Sequence, residues 1–134
     1  MNVVIARRAY DDMVAHAREA VPAECCGLLI GTGESIVEAA RTTNLASDHG
    51  RFEMDPGDHI RARRIARSRG LDVLGFYHSH PRSPATPSAR DRAEAWYPDY
   101  LYLIVSVCAE PVDVRLYRLN ADGFYEVTWQ PAAC

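Results

Sequence analysis

The period of the hydrophobic positions changes several times along this chain, and each change marks an element. Val3 to Ala6 is a short apolar run and predicts a first strand. Between residues 8 and 20 the apolar side chains fall at Ala9, Met13 and Ala17, then Val21, the four-residue spacing of an amphipathic helix closed by Pro22. Cys26 to Ile30 is continuously apolar and bounded by Gly31 and Gly33, so it reads as a buried strand, with Ser35 to Arg41 pairing back against it. Thr42 to Glu53 is polar and irregular. Asp55-Pro56 starts a helix, aspartate as N-cap and proline at the first helical position, and Gly70 ends it. Its five arginines, Arg61, Arg63, Arg64, Arg67 and Arg69, are expected on a solvated outer face. Leu71 to His80 is the next strand, stopped by Pro81. A loop with Pro84 and Pro87 leads to a helix from about Ala89 to Trp96, and Tyr100 to Val107 is a second buried strand. Val112 to Leu119 and Phe124 to Trp129 flank Asn120-Ala121-Asp122-Gly123 and read as a hairpin. The order predicts one α/β domain over residues 1–134, built on a largely antiparallel sheet with three helices.

Composition narrows the class. Apolar residues make up 48% and charged residues 25%, values of a packed globular domain rather than a disordered chain. The net charge of −3 gives no basic excess, which argues against a nucleic-acid partner. All basic side chains are arginine, so no lysine amine is available for acylation or isopeptide tagging. The first apolar run stops after four residues and no later run is long enough to cross a bilayer, so a cytoplasmic protein with no membrane partner is expected. Cys25, Cys26, Cys108 and Cys134 lack C-x-x-C spacing and read as small buried hydrophobes rather than a disulfide framework.

The chemistry concentrates between Gly75 and Asp91. Side chains two apart on a strand point to one face, so His78 and His80 project side by side, with Pro81 placing them at the strand end. Two imidazoles so placed can converge on one ion, and a carboxylate at Asp91 in the first turn of the next helix could complete the set. Such a set leaves zinc a fourth position for water. The spacing alone also fits a polar surface pair, and Ser88-x-x-Asp91 also fits a capping box. His16, His49 and His59 have no paired spacing and are expected at the surface.

Taken together, these residues resemble the signature of the JAMM metallopeptidases, the catalytic branch of the MPN domain family. Its elements are an upstream glutamate, H-x-H-P, a proline-serine pair and an aspartate separated from the second histidine by ten residues; here they are Glu24, His78-Ser79-His80-Pro81, Pro87-Ser88 and Asp91. Pro22-Ala-Glu-Cys-Cys-Gly-Leu-Leu-Ile-Gly31 is similar to the family's P-x-E-x-C-G-x-L-x-G region. The resemblance implies a cytidine-deaminase-like MPN fold, zinc held by His78, His80 and Asp91, Glu24 as general base and Ser88 as oxyanion donor. Neither H-E-x-x-H nor the deaminase signature is present, which sets those zinc enzymes aside.

For the compact prokaryotic branch, the resemblance implies hydrolysis of an amide at the C-terminal tail of a ubiquitin-like sulfur-carrier protein. A general small-peptide amidohydrolase and a non-catalytic MPN scaffold are the alternatives; the retained ligands and base argue against the scaffold. A Gly-Gly tail is narrow and extended, so strand addition beside the metal is the expected docking mode. The Thr42 to Glu53 stretch, with Arg51 and Phe52, is the candidate border of that groove, although Phe52 could equally be core.

Overall fold

The computed structural model describes residues 2–95 and 97–133. Eleven elements follow in order: β1 (Val3–Ile5), α1 (Arg7–Ala20), β2 (Cys26–Thr32), β3 (Ser35–Thr42), α2 (Pro56–Ser68), β4 (Asp72–His80), α3 (Ala89–Ala93), β5 (Leu101–Ser106), β6 (Asp113–Asn120), β7 (Gly123–Val127) and β8 (Trp129–Pro131). The eight strands form one sheet in the order β7-β6-β5-β4-β2-β3-β1-β8. β2 pairs antiparallel with β3 and β4, as does β6 with β5 and β7. β1 runs parallel to β3 and β8, and β4 runs parallel to β5, so the sheet is mixed with antiparallel pairs in the majority.

The predicted hairpin after Asn120 forms, but Phe124 to Trp129 is not one strand. β7 ends at Val127 and β8 begins at Trp129, and the two lie at opposite edges of the sheet. Eight flat strands at about 4.8 Å spacing would hold those edges roughly 34 Å apart. One intervening residue spans at most about 7 Å. The sheet must therefore curl until its edges meet at Thr128. The indole N–H of Trp129 donates to the Val114 carbonyl at 3.0 Å and ties β8 back to β6.

Alternation along the strands builds two different faces. Leu29, Tyr77, Leu101, Leu103, Val105 and Leu116 point to one side, where Ala9, Met13 and Ala17 of α1 seal them into the main core. Leu28, Ile30, Val73 and Phe76 point to the other, where Ala66 of α2 covers part of it. Gly75 lets β4 and β5 approach closely, since a Cβ there would lie 2.0 Å from the Leu101 carbonyl oxygen. Asp55 caps α2 as predicted, its carboxylate accepting from Gly57 N at 2.8 Å with Pro56 following.

Several local expectations need correction. α3 ends at Ala93 rather than continuing toward Trp96, a position outside the described residues. No residue of α3 is buried, so the cap is left as its main local support. His16 and His59 are partly buried rather than superficial; only His49 is exposed. His16 flanks the inner stripe of α1, and its Nδ1 hydrogen-bonds the Tyr77 hydroxyl at 2.7 Å. Cys25 and Cys26 are buried free thiols, whereas Cys108 is exposed beyond the end of β5; Cys134 is outside the described residues. No helix among the described residues is long and apolar enough to cross a membrane.

Candidate metal centre and active site

The parity of β4 sorts its last residues. Phe76, His78 and His80 face α2 and α3, while Tyr77 and Ser79 turn toward α1. β2 lies alongside with Cys26 opposite His78. Ser79 N donates to the Cys25 carbonyl at 3.1 Å, and Cys25 N donates to Ser79 Oγ at 2.8 Å, extending that register past the end of β2. Extending that register by one more step would bring Glu24 toward His80, whose charge acts on the Glu24 carboxyl. Glu24 thus reaches the histidine face through strand pairing, a relation no local spacing reveals.

His78, His80 and Asp91 come together, each offering one ligand atom. Asp91 Oδ1 is 3.1 Å from His78 Nε2, Asp91 Oδ2 is 3.0 Å from His80 Nε2, and the two Nε2 atoms are 3.2 Å apart. A tetrahedral ion with bonds of about 2.0–2.1 Å would set its ligand atoms about 3.3 Å from one another. His80 Nδ1 lies 2.7 Å from the Pro84 carbonyl and can only donate there, which leaves a lone pair on Nε2 in the neutral ring. Lone pairs of two imidazoles and a carboxylate crowded into one small triangle call for a cation between them. The donor set fits zinc.

Electrostatics favour the same arrangement. Burial would push the Asp91 carboxyl up, but hydrogen bonds from His78 and His80, charge on His78 and the Ser88 backbone N–H outweigh it and hold Asp91 well below the ordinary carboxylate range. Burial opposes charge on His80, yet Asp91 and the Pro84 carbonyl raise its pKa, so a proton competes with a metal for this ring. Glu24 behaves differently: burial pushes its carboxyl up to about 7, His80 pulls it back and Asp91 adds to the rise. Its Oε1 is buried and has no hydrogen-bond partner among the described residues. A buried oxygen in that condition carries a desolvation cost that a water molecule between Glu24 and the ligand triangle would relieve.

Ser88 is the N-cap of α3, and the capping box is real. Ser88 Oγ accepts from Asp91 N at 3.0 Å, and Ser88 N donates to Asp91 Oδ2 at 2.9 Å. The cap and the ligand set do not compete. A carboxylate has about four acceptor sites, and Asp91 uses them toward Ser88, His78 and His80 together.

Two features of the site escaped the sequence pattern. Asn44 spends its whole amide on the neighbouring loop: Nδ2 donates to the Glu24 and Arg51 carbonyls at 2.9 and 3.3 Å, and Oδ1 accepts from Ala46 and Glu53 N at 2.9 Å each. The loop so tied brings the Phe52 ring to a stacked position 4.6 Å from the His78 ring. Beyond His78 a cavity of about 500 Å³ opens along the same face, with Phe76, Tyr97, Tyr102, Tyr117 and Phe124 in its lining. The even spacing of Phe76, His78 and His80 was the available clue that aromatic and ligand side chains share a face.

A mixed, curled sheet with one helix on its sealed side, and a two-histidine, one-carboxylate cluster beside a buried glutamate on the other, defines a hydrolase-type metal centre. Comparison with known proteins gives its family. Residues 6–120 match Prok-JAB, the prokaryotic homologs of the JAB domain. The chain is 39% identical over 131 residues to a desampylase of Haloferax volcanii, covering 92% of each chain. It is 32% identical over 133 residues to the CysO-cysteine peptidase of Mycobacterium tuberculosis, covering 96% of this chain and 88% of that one. A solution structure from Desulfitobacterium hafniense superposes with a TM-score of 0.90 at 32% identity, over 98% of this chain and 94% of the other. A JAB1/MPN domain protein from Archaeoglobus fulgidus shares the fold, with a TM-score of 0.65 at 20% identity over 98% of both chains. The chain belongs to the prokaryotic JAB domain family, the compact branch of the JAMM/MPN proteins.

Proposed function

We propose that this protein is a zinc-dependent peptidase, a single catalytic domain that hydrolyses the amide bond at the C-terminal tail of a ubiquitin-like protein, with a sulfur carrier as its substrate. The observation that carries this reading is the ligand triangle of His78, His80 and Asp91 with the partnerless Glu24 oxygen beside it. The names of the two relatives, a desampylase and a CysO-cysteine peptidase, support the substrate class. The same reading makes it a cytoplasmic enzyme.

His78 Nε2, His80 Nε2 and an Asp91 carboxylate oxygen would hold the metal. When bound, zinc polarises a carbonyl oxygen and brings the pKa of water toward neutrality. Glu24 takes the proton from the attacking water and delivers it to the departing amine nitrogen, a task suited to a carboxyl whose burial has raised its pKa. Since Ser88 Oγ already accepts from Asp91 N, its own hydroxyl proton is free to donate to the oxyanion that develops on the scissile carbonyl. Phe52 against His78 limits ring movement and shields one side of the centre from bulk water.

The test is intact mass spectrometry of a carrier–cysteine adduct before and after incubation with the zinc-loaded protein. Loss of the cysteine mass, abolished by a chelator and restored by zinc, is the expected result. An unchanged adduct beside rapid hydrolysis of a free dipeptide would instead make the protein a small-amide amidohydrolase.

A further inference from the structure

The aromatic cavity beyond His78 is more than slack between elements, because polar side chains pin its walls. The Tyr102 hydroxyl accepts from Tyr97 N at 3.0 Å and donates to the Tyr97 carbonyl at 3.1 Å, fixing the segment after α3. The Tyr117 hydroxyl donates to the Ala85 carbonyl at 2.7 Å, fixing the loop that leads to Ser88. Asn44 fixes the third wall, the loop bearing Arg51 and Phe52. Three loops are each held by one side chain, so the cleft is formed before any ligand enters.

Inside, the rings touch one another: Phe76 lies 5.2 Å from Tyr97 and 5.7 Å from Tyr102, and Tyr102 lies 5.1 Å from Phe124. Arginine and glutamate share the rim, Arg51 beside Glu53 and Arg90 beside Glu94, so the rim selects no single charge. The interior accepts apolar or aromatic matter. His78 and Asp91 belong both to the ligand triangle and to this lining, so the cavity begins at the candidate metal centre.

We infer that this cavity is a leaving-group pocket that takes a bulky apolar side chain on the residue just after the scissile bond. The inference rests on the reading under Proposed function. A tail ending in two glycines brings no side chain to the acyl side for about 7 Å, two residues of extended chain. Glycines cannot fill an aromatic cavity of about 500 Å³ that opens beside His78 and Asp91. The first side chain able to enter is therefore carried by the departing amine. Its burial against Phe76, Tyr102 and Phe124 orients that amine toward the Glu24 proton.

The experiment uses one ubiquitin-like carrier extended after Gly-Gly by phenylalanine, leucine, glycine or aspartate, with kcat/KM read for each. The phenylalanine and leucine tails should be cut about 10- to 100-fold faster than the glycine tail, the range one apolar pocket provides. In Phe124→Ala that ratio should fall several-fold toward one, and Phe124→Leu should recover most of it; zinc content and circular dichroism report that each variant is folded. Equal rates across the series, or a preference unchanged in Phe124→Ala, would overturn the pocket while leaving the peptidase reading intact. A preference that follows the residue before the glycines would assign the cavity to the acyl side and also overturn it. A dimer in sedimentation that Phe124→Ala dissolves would give the cavity to a second copy of the chain. Intact tails throughout would remove the peptidase reading and this one with it.

Discussion

The two faces of the sheet are made from the same strands and have opposite fates. Toward α1, Leu29, Tyr77, Leu103 and Val105 are fully enclosed, and the polar atoms among them are matched: Tyr77 with His16, Ser79 with Cys25 N. Toward α2 and α3, residues one position along, Phe76, His78, His80 and Ile104, meet an incomplete cover. α2 lies over one part, α3 is only five residues long, and loops close the rest. The lesson is that a strand can serve as core and as active site at once. Alternation gives each side chain its face, and chemistry collects where the second layer is left unfinished.

The contrast breaks most completely at the ligands. His80→Ala should lower zinc affinity by about a thousandfold or more, since direct ligand loss exceeds the roughly 10- to 100-fold typical of groups that only support a ligand. Metal analysis after dialysis at defined free zinc checks this; full retention would remove His80 from the centre. Glu24→Gln should keep the metal while activity falls about 10²–10⁴-fold, because the amide cannot take the proton. Parent-level kcat/KM in that variant would exclude Glu24 as the base.

The same substitution has a pH signature in the metal-free protein. The folded pKa of about 7 lies above the ordinary value of 4.5, so the Glu24 contribution to stability is fully present below about pH 4.5 and is lost as pH rises through 7. The parent should therefore lose on the order of 1–2 kcal/mol relative to Glu24→Gln between pH 5 and 8, once partial exposure is allowed for. Urea denaturation at the two pH values measures the difference, and parallel curves would contradict a buried carboxyl.

On the sealed face the response should be purely thermodynamic. Leu103→Ala should cost about 2–5 kcal/mol of stability, with zinc affinity near the parent value. Ser88→Ala should touch both properties, costing about 1 kcal/mol as a lost cap and also about 10²-fold in kcat as a lost oxyanion donor. Lower stability with unchanged kcat would leave Ser88 a cap alone.

What could be read from the sequence was mostly local. The extents of β4 and β5 to within a residue, the Asp55 cap and the facing of His78 with His80 follow from period, proline and parity, properties of neighbouring residues, whereas β2 runs through Gly31 to Thr32, past the glycine expected to bound it. Long-range register was not legible. The Glu24 position depends on Cys25 and Ser79 pairing across 54 positions, and only the family resemblance pointed to that glutamate. The transfer of the chain from β6 to β1 at Thr128 looked like one uninterrupted strand, because alternation does not name the partner. The aromatic walls were missed for a related reason: Phe76, Tyr102, Tyr117 and Phe124 come from four different strands, and only their pairing brings them to one cavity.

The curled sheet also dictates an order of assembly. Asn2 and Thr128 are joined by a hydrogen bond across a separation of 126 residues, and β1 runs between β3 and β8. Closing a loop of that length costs about 4 kcal/mol in chain entropy, against about 3 kcal/mol for the thirty or so residues that separate β1 from β3. β1 therefore zips onto β3 first, and the short β8 arrives last, like a hem stitched after the cloth is cut. The amide protons of Trp129 and Gln130 in β8 should exchange through local fraying well before those of β4, so the seam can open while the ligand-bearing strand stays protected.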